Sequence, residues 1–456
     1  MPVFNNVLAG SSGQTSGGGS APASDYNIER SLRFDHSSSA FLSKSFSTKI
    51  TTFTLSFWVK RGKIGTWQYP WSQTDGSGYC GIGFEDSGDR ITLYNGGHNY
   101  TSGRYRDTSA WYHIFLKVSS GSATLYVNND QVATASGFFL GGGQCKIGDF
   151  ITSSHPFDGY IADFYCVSGA ALNISNFAAY DTTTGVWEPI TPVISSPNNG
   201  TTWSNNTTGT FDSSYPKTNG FDGNISTVTY AGSSNSAAVQ FSGITITQTN
   251  RLRVYGASGW SNPHSITSNG NTTTWTNQTS QWHDLTDTFT TPWSFDSYNL
   301  TYNGSIAAIE IGGVILVDGA TKFGTNGFHL NLSDATSTST VAEDSSGNNN
   351  DFTASNISVT TGTDDDSLFD TPTNYDDGTN VGGNYCTINP HNNAASNALS
   401  DGNLKVATAT GNYGLHVSNM ATPLSGKWYA EVTLASGNAT YATIGLVATD
   451  AAYGAL

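Results

Sequence analysis

The sequence predicts an all-β protein, with β-sandwiches in tandem behind an extended N-terminal tether. Three observations carry that expectation. Charged residues make up only 11% of the chain while aromatics reach 12%, a balance poor in helix formers and rich in strand formers. The chain holds 51 glycines, enough to punctuate many short strands with turns. Apolar and polar residues alternate in run after run, the period of a half-buried strand. With 36% hydrophobic residues, the chain has material for real cores, which argues against global disorder.

Residues 1–25 open with an apolar plug, Val3, Phe4, Val7 and Leu8, followed by a Gly/Ser tether that ends near Pro22. Such a tether is flexible. Two readings stand: a disordered terminus, or a peptide that docks into a larger assembly. The stretch lacks the basic and apolar regions of a signal peptide, and no run approaches about 18 apolar residues, so neither secretion by signal peptide nor a membrane span is expected.

Residues 26–190 carry the clearest strand pattern. TTFTLSFWVKRG places Phe53, Leu55, Phe57 and Val59 on one face. GYCGIGFED and RITLYNGG follow with turns between them. WYHIFLKVSSGSATLYVNNDQVATA, from Trp111, reads as two hairpin turns, at Ser119-Ser120-Gly121-Ser122 and Asn128-Asn129-Asp130. Tyr112, Ile114, Leu116 and Val118 share a face. FDGYIADFYCVSG closes the block, with Tyr160, Ala162 and Phe164 expected on one face and Ile161, Asp163 and Tyr165 on the other. Many short strands at this spacing indicate a sandwich.

TPVISSPNNG marks a boundary, and residues 191–320 read as a second β-sandwich. Residues 321–385 are loop-rich and read as an extended connector with a few short strands. Residues 386–456 restart a strand pattern in NLKVATAT, YGLHVSN, GKWYAEVTLAS and TYATIGLVAT.

These residues support resemblances. "AWYHIFLKVSSGSATLYVNNDQV" with "FDGYIADFYCVSGAAL" resembles the laminin-G/pentraxin group of concanavalin A-like lectins, whose fold is a jelly roll. "NGFDGNIST" with "RLRVYGASG" resembles galactose-binding jelly rolls, and "SGKWYAEVTL" with "ATIGLVAT" resembles the start of a SPRY/concanavalin-like domain. The fold class is therefore all-β, tandem jelly-roll β-sandwiches with an N-terminal tether. The succession of segments, from "FNNVLAG" through "TNGFHLNLSD", "DSSGNNNDF", "DTPTNY" and "GNYCTINP", resembles virion proteins of marine tailed phages. That resemblance implies a tail fibre or appendage, made in a host cytoplasm and displayed on the particle. Its N-terminus would attach to other virion proteins and its loops would bind host-surface glycan. Such fibres are commonly homo-oligomers, often trimers. Two alternatives remain: a capsid decoration or fibre scaffold without ligand, and a polysaccharide depolymerase.

Chemistry narrows these. A net charge of −16 argues against nucleic acid and anionic membranes as partners. No Glu-x-Asp-x-x-Glu strand places two carboxylates across a cleft, and no Gly-x-Ser-x-Gly elbow occurs, so no enzymatic activity is expected. Glycan binding rests on rings in polar loops, where a sugar's apolar face can stack. The candidates are Trp67, Tyr69, Trp71 and Asp75 in one loop, Tyr100 and Tyr105 with His98 and Arg104 in a second, and Trp260 with His264 in the second sandwich. The bland alternative is that these rings pack their own loops or a subunit contact. The lectin resemblance implies calcium at the loop rim, for which Asp86, Asp89, Asp149 and Asp158 are candidates; each could equally cap a turn. Of the four cysteines, Cys145 and Cys166 could bridge neighbouring strands, or all could be free buried thiols.

Overall fold

The computed structural model describes residues 26–456 except 195–197, 199, 233–234, 257–262, 277–279, 302–303, 362–364, 377–380, 394–397, 408–415, 421–430, 434–444 and 446–456. Val3, Phe4, Val7, Leu8 and Trp260 lie outside the described residues. So does most of the segment expected to resemble a SPRY domain. The protein is all-β: antiparallel sheets stacked as sandwiches of the jelly-roll type, with 3-10 turns as the only helical elements among the described residues.

Twelve strands build most of the first sandwich. They are β1 (Ser31–Phe34), β2 (Phe41–Phe46), β3 (Phe53–Arg61), β4 (Gln68–Thr74), β5 (Tyr79–Phe84) and β6 (Ile91–Tyr94), then β7 (His98–Tyr100), β8 (Trp111–Ser119), β9 (Ser122–Val127), β10 (Asp130–Ala135), β11 (Gly143–Ile147) and β12 (Gly159–Ser168). One sheet runs β10-β9-β8-β3-β12-β1, and the facing sheet runs β2-β11-β4-β5-β6-β7. Phe53, Leu55, Phe57 and Val59 meet Tyr112, Ile114, Leu116 and Val118 in the core between them.

The two hairpin turns form where the sequence puts them. Ser119 pairs with Ser122 across Ser120 and Gly121, whose φ values are 49° and 81°. Val127 pairs with Asp130 across Asn128 and Asn129, with φ of 47° and 74°. Two central residues with positive φ match the right-handed twist of the flanking strands.

Two expectations are corrected. The first concerns β12, whose alternation breaks at Asp163. That residue takes φ of 53° and the register against β3 shifts there. The bulge turns Phe164 into the main core with Ile161, while Tyr160 and Ala162 face outward. The Asp163 carboxylate accepts bonds from the Tyr26 hydroxyl at 2.9 Å and from His329 Nε2 at 2.7 Å.

The second concerns residues 321–385. They do not simply connect; they finish the first sandwich. Phe328–Leu330 pairs with β12 at Phe164–Cys166, beside the stretch where β1 pairs with Gly159–Ile161. Thr353–Ser355 extends the other sheet beyond β2, and Ser367–Leu368 extends β1. Phe328, Leu330, Leu332, Val341 and Phe352 enter the main core. Short apolar insertions in a polar segment read as loop, yet β12 would leave half an edge unpaired without them.

Between these parts lies a second sandwich. One five-stranded sheet holds Thr207–Gly209, Ser236–Gln240, Ser297–Thr301, Pro263–Ser268 and Asn271–Thr276. The other is built around Ser305–Ile311 and Leu252–Gly256. Its core centres on Trp203, Phe241, Trp293, Phe295 and Tyr298.

Candidate functional site: an aromatic platform on the outer face of one sheet

The two sheets of the first sandwich differ on their outer faces. The β3–β8–β12 sheet is covered: Ile28, Trp58, Trp111 and Tyr160 form one outer cluster, and Phe115, Tyr165, Phe177 and Phe323 form another. The outer face of β4–β5–β6–β7 instead carries a group of rings, of which Tyr79, His98 and Tyr100 are exposed while Tyr69 and Phe150 are buried beneath the others.

Strand alternation explains the group. On β5, Cys80, Ile82 and Phe84 point into the core, so Tyr79, Gly81 and Gly83 face outward. On β6, Ile91 and Leu93 point inward and Tyr94 outward. On β7, His98 pairs with Tyr94 and Tyr100 with Thr92, which puts both rings on the same side. Tyr69 joins them through a bulge. Gln68 opposes Phe84 and Trp71 opposes Ile82, so one extra residue of β4 sits between them. Tyr69 then lies over the two outward glycines: a Cβ on Gly83 would come within 2.8 Å of its ring, and one on Gly81 within 3.1 Å.

The rings touch in a continuous sequence. Trp67 lies 4.7 Å from His98 and 6.5 Å from Tyr69, centroid to centroid. His98 stacks on Tyr100 at 5.5 Å with planes 8° apart. Tyr94 is 4.9 Å from His98. Phe150 and His155, from the loop before β12, close the far side against Tyr69 at 4.6 and 5.9 Å. Tyr79 and Tyr100 are 40% and 37% exposed. Burial pushes the His98 and His155 imidazoles below the usual histidine value.

Polar groups frame the rings. The Arg90 guanidinium stands 4.2 Å from the Tyr100 ring centre and is paired with Glu85. That pairing holds the Glu85 carboxyl below its usual range, the opposite of what a general acid needs. Past the β7 edge runs a groove lined by Asn95, Asn99, Ser122, Thr124, Thr134 and Ser136. Asn95 Nδ2 donates to the Ser136 carbonyl at 2.7 Å across it.

The expected site residues distribute unevenly. Trp67, Tyr69 and Tyr100 converge, with His98. Trp71 does not: it is fully buried in the core, 6.2 Å from Phe53, because the β4 bulge turns residue 71 inward. Tyr105 packs edge-on against Tyr112 at 5.6 Å. Asp75 caps its own turn through the Ser77 and Gly78 amides and pairs with Lys49. Its carboxyl is held well below the usual range, first of all by Lys49. His264 is buried against the Tyr298 hydroxyl at 2.8 Å. Tyr79, Tyr94, Phe150 and His155 were not foreseen; the G-x-G spacing on β5 is the signal that could have found them.

The four candidate calcium ligands are not brought together into one group. Asp89 is buried and already accepts from Arg106 Nε at 2.9 Å, the Gly65 amide at 3.0 Å and Arg61 Nη2 at 3.3 Å. Asp149 accepts from the Phe150 amide and lies 3.6 Å from Lys146. Burial raises Asp158 to about 6, and Asp86 is exposed. Among the described residues no three His, Cys, Asp or Glu side chains are grouped to hold a metal. All four cysteines are free.

Residues 35–173 match the laminin G family model described as the concanavalin A-like lectin/glucanases superfamily. Solved structures are similar over part of the chain. A SAP-like pentraxin from Limulus polyphemus shares 16% identity over 31% of this chain and 77% of its own, with a TM-score of 0.25. A putative carbohydrate binding protein from Bacteroides ovatus shares 17% over 37% of this chain and 62% of its own, with a TM-score of 0.27. Domain 4 of an extracellular arabinanase from Geobacillus stearothermophilus, solved with arabinotriose, shares 16% over 30% of this chain and 66% of its own, with a TM-score of 0.24. No curated protein matches the sequence.

Proposed function

We propose that the first sandwich is a non-catalytic glycan-binding module and that the chain displays it on a virion appendage. The observation that carries the binding reading is the ring platform of Trp67, Tyr94, His98 and Tyr100, backed by the buried Tyr69. A pyranose offers an apolar face to stack, which these rings supply, and a rim of hydroxyls to hydrogen-bond. The lectin-type family match over residues 35–173 supports the same reading. The order of segments along the chain supports the appendage. Several copies on one particle would turn weak single sites into firm attachment.

The test is binding of the full chain to host-surface polysaccharide, by calorimetry and by competition with virion adsorption. Trp67→Ala and Tyr100→Ala should each weaken binding about tenfold, roughly 1.4 kcal/mol, with melting temperature nearly unchanged. Tyr255→Ala on the second sandwich should leave affinity alone. Folded protein that binds no host polysaccharide and does not slow adsorption would leave the chain a spacer or decoration.

A further inference from the structure

Lys60 has a place the platform does not explain. It sits near the end of β3, its side chain fully buried. Its partner across one edge of the strand is Trp111 and across the other is Tyr160. Those two rings wall the pocket, with the Lys60 Nζ 5.7 Å from the Tyr160 ring centre. The pocket is closed by two late segments joined by a bridge between Asp370 and Gly383. Into it project the Asp370 carboxylate and the Asn384 carboxamide. Lys60 Nζ lies 2.7 Å from Asp370 Oδ2 and 2.9 Å from Asn384 Oδ1. Asp370 Oδ1 accepts from Trp111 Nε1 at 3.1 Å and from the Tyr385 amide at 3.3 Å. Asn384 Nδ2 donates to the Ser109 carbonyl at 2.7 Å, which fixes the carboxamide with its oxygen toward the lysine.

We propose that Lys60 and Asn384 join in an intramolecular isopeptide bond, with Asp370 as the catalytic residue. An amine, a carboxamide and a carboxyl group held within hydrogen-bond reach in a dry pocket have what an acyl transfer requires: proximity, a proton carrier and exclusion of water. Lys60 passes a proton to Asp370 and becomes a neutral nucleophile. Its Nζ attacks Cγ of Asn384. The new C–N bond forms; Asp370 hands its first proton to Nδ2, then takes the second proton that Nζ must shed to become an amide and passes it to the same nitrogen as the bond from Cγ to Nδ2 breaks. Ammonium departs with the charge the lysine brought, and nothing is oxidised or reduced. Burial raises the Asp370 carboxyl above its ordinary value, which suits a group that must hold a proton between those steps. The carboxylate would keep the Trp111 and Tyr385 donors and gain the new amide N–H.

The bond would tie β3 to a segment 324 residues later. That segment is already fastened at neighbouring points: Arg33 Nε donates to Asp366 at 2.8 Å, and the Tyr160 hydroxyl donates to the Gly402 carbonyl at 2.6 Å. The crosslink would make the C-terminal closure of the first sandwich covalent.

The experiment is intact-mass spectrometry of the folded full chain, followed by peptide mapping. The expected mass is below the sequence mass by one ammonia, and mapping should yield a branched peptide joining Lys60 to Asn384. Asp370→Asn should restore the full mass. Asn384→Asp should keep the branched peptide but lose water in place of ammonia, an outcome that misfolding cannot mimic. A folded wild-type chain with full mass and separate linear peptides would overturn the proposal and leave Lys60–Asp370 an ordinary buried ion pair.

Discussion

A Cβ placed on Gly83 would lie 2.8 Å from the Tyr69 ring. The glycine is thus what lets the tyrosine lie on the outer face of the sheet as part of the platform. Gly83→Ala should tilt Tyr69 and with it Trp67 and Phe150. Calorimetry should show glycan affinity reduced about tenfold, near 1.4 kcal/mol. Gly97→Ala is the control, since a Cβ there meets nothing within 4 Å; equal affinity loss in both variants would detach the platform from binding.

The late segment should prove integral to the first sandwich. Phe328 stacks on Phe164 at 5.7 Å and packs on Phe352 at 4.7 Å. Phe328→Ala should therefore cost about 3–5 kcal/mol, the range for a buried ring, read by denaturant unfolding. A fragment of residues 26–190 should fail to give a cooperative transition. A stable, cooperatively folding fragment would show that residues 321–385 are dispensable.

Acid should act through His113. Its Nδ1 accepts from Trp187 Nε1 at 3.1 Å and its Nε2 faces the Ser56 hydroxyl at 2.8 Å. Burial lowers its pKa to about 3, against about 6.5 in an unfolded chain. Below about pH 6.5 the unfolded chain takes up a proton that the folded one refuses. This contribution to stability is full above that pH and declines as pH falls, by up to roughly 1.4 kcal/mol per pH unit. His113→Gln cannot take up the proton, so its acid decline should be shallower than the wild type's between pH 6.5 and 4. Parallel profiles would remove His113 from the account.

Thiol chemistry should separate the cysteines. Burial pushes Cys80 and Cys145 up to about 12 and Cys166 well above its ordinary value. Cys386 is exposed. A thiol reagent should label Cys386 alone in the native protein and all four in denaturant. Only two labelled sites in denaturant would instead reveal a Cys145–Cys166 bridge.

Much of this architecture follows from the sequence by itself, because its signals are local. Alternation placed Phe53, Leu55, Phe57 and Val59 on the core face, and Ser-Gly and Asn-Asn dipeptides specified turns with positive φ. The rings of the platform were half legible: Trp67, Tyr69 and Tyr100 stood in polar loops of aromatic sequence. What the sequence left open was decided by register. One extra residue in β4 sends Trp71 into the core and Tyr69 out of it, and one left-handed aspartate reverses the faces of β12. A one-residue shift exchanges the two faces of a strand, and composition carries no mark of it. Pairings across hundreds of residues, Phe328 with Cys166 or Lys60 with Asp370 and Asn384, exist only once the chain has closed, since packing alone selects which distant polar groups share a dry pocket.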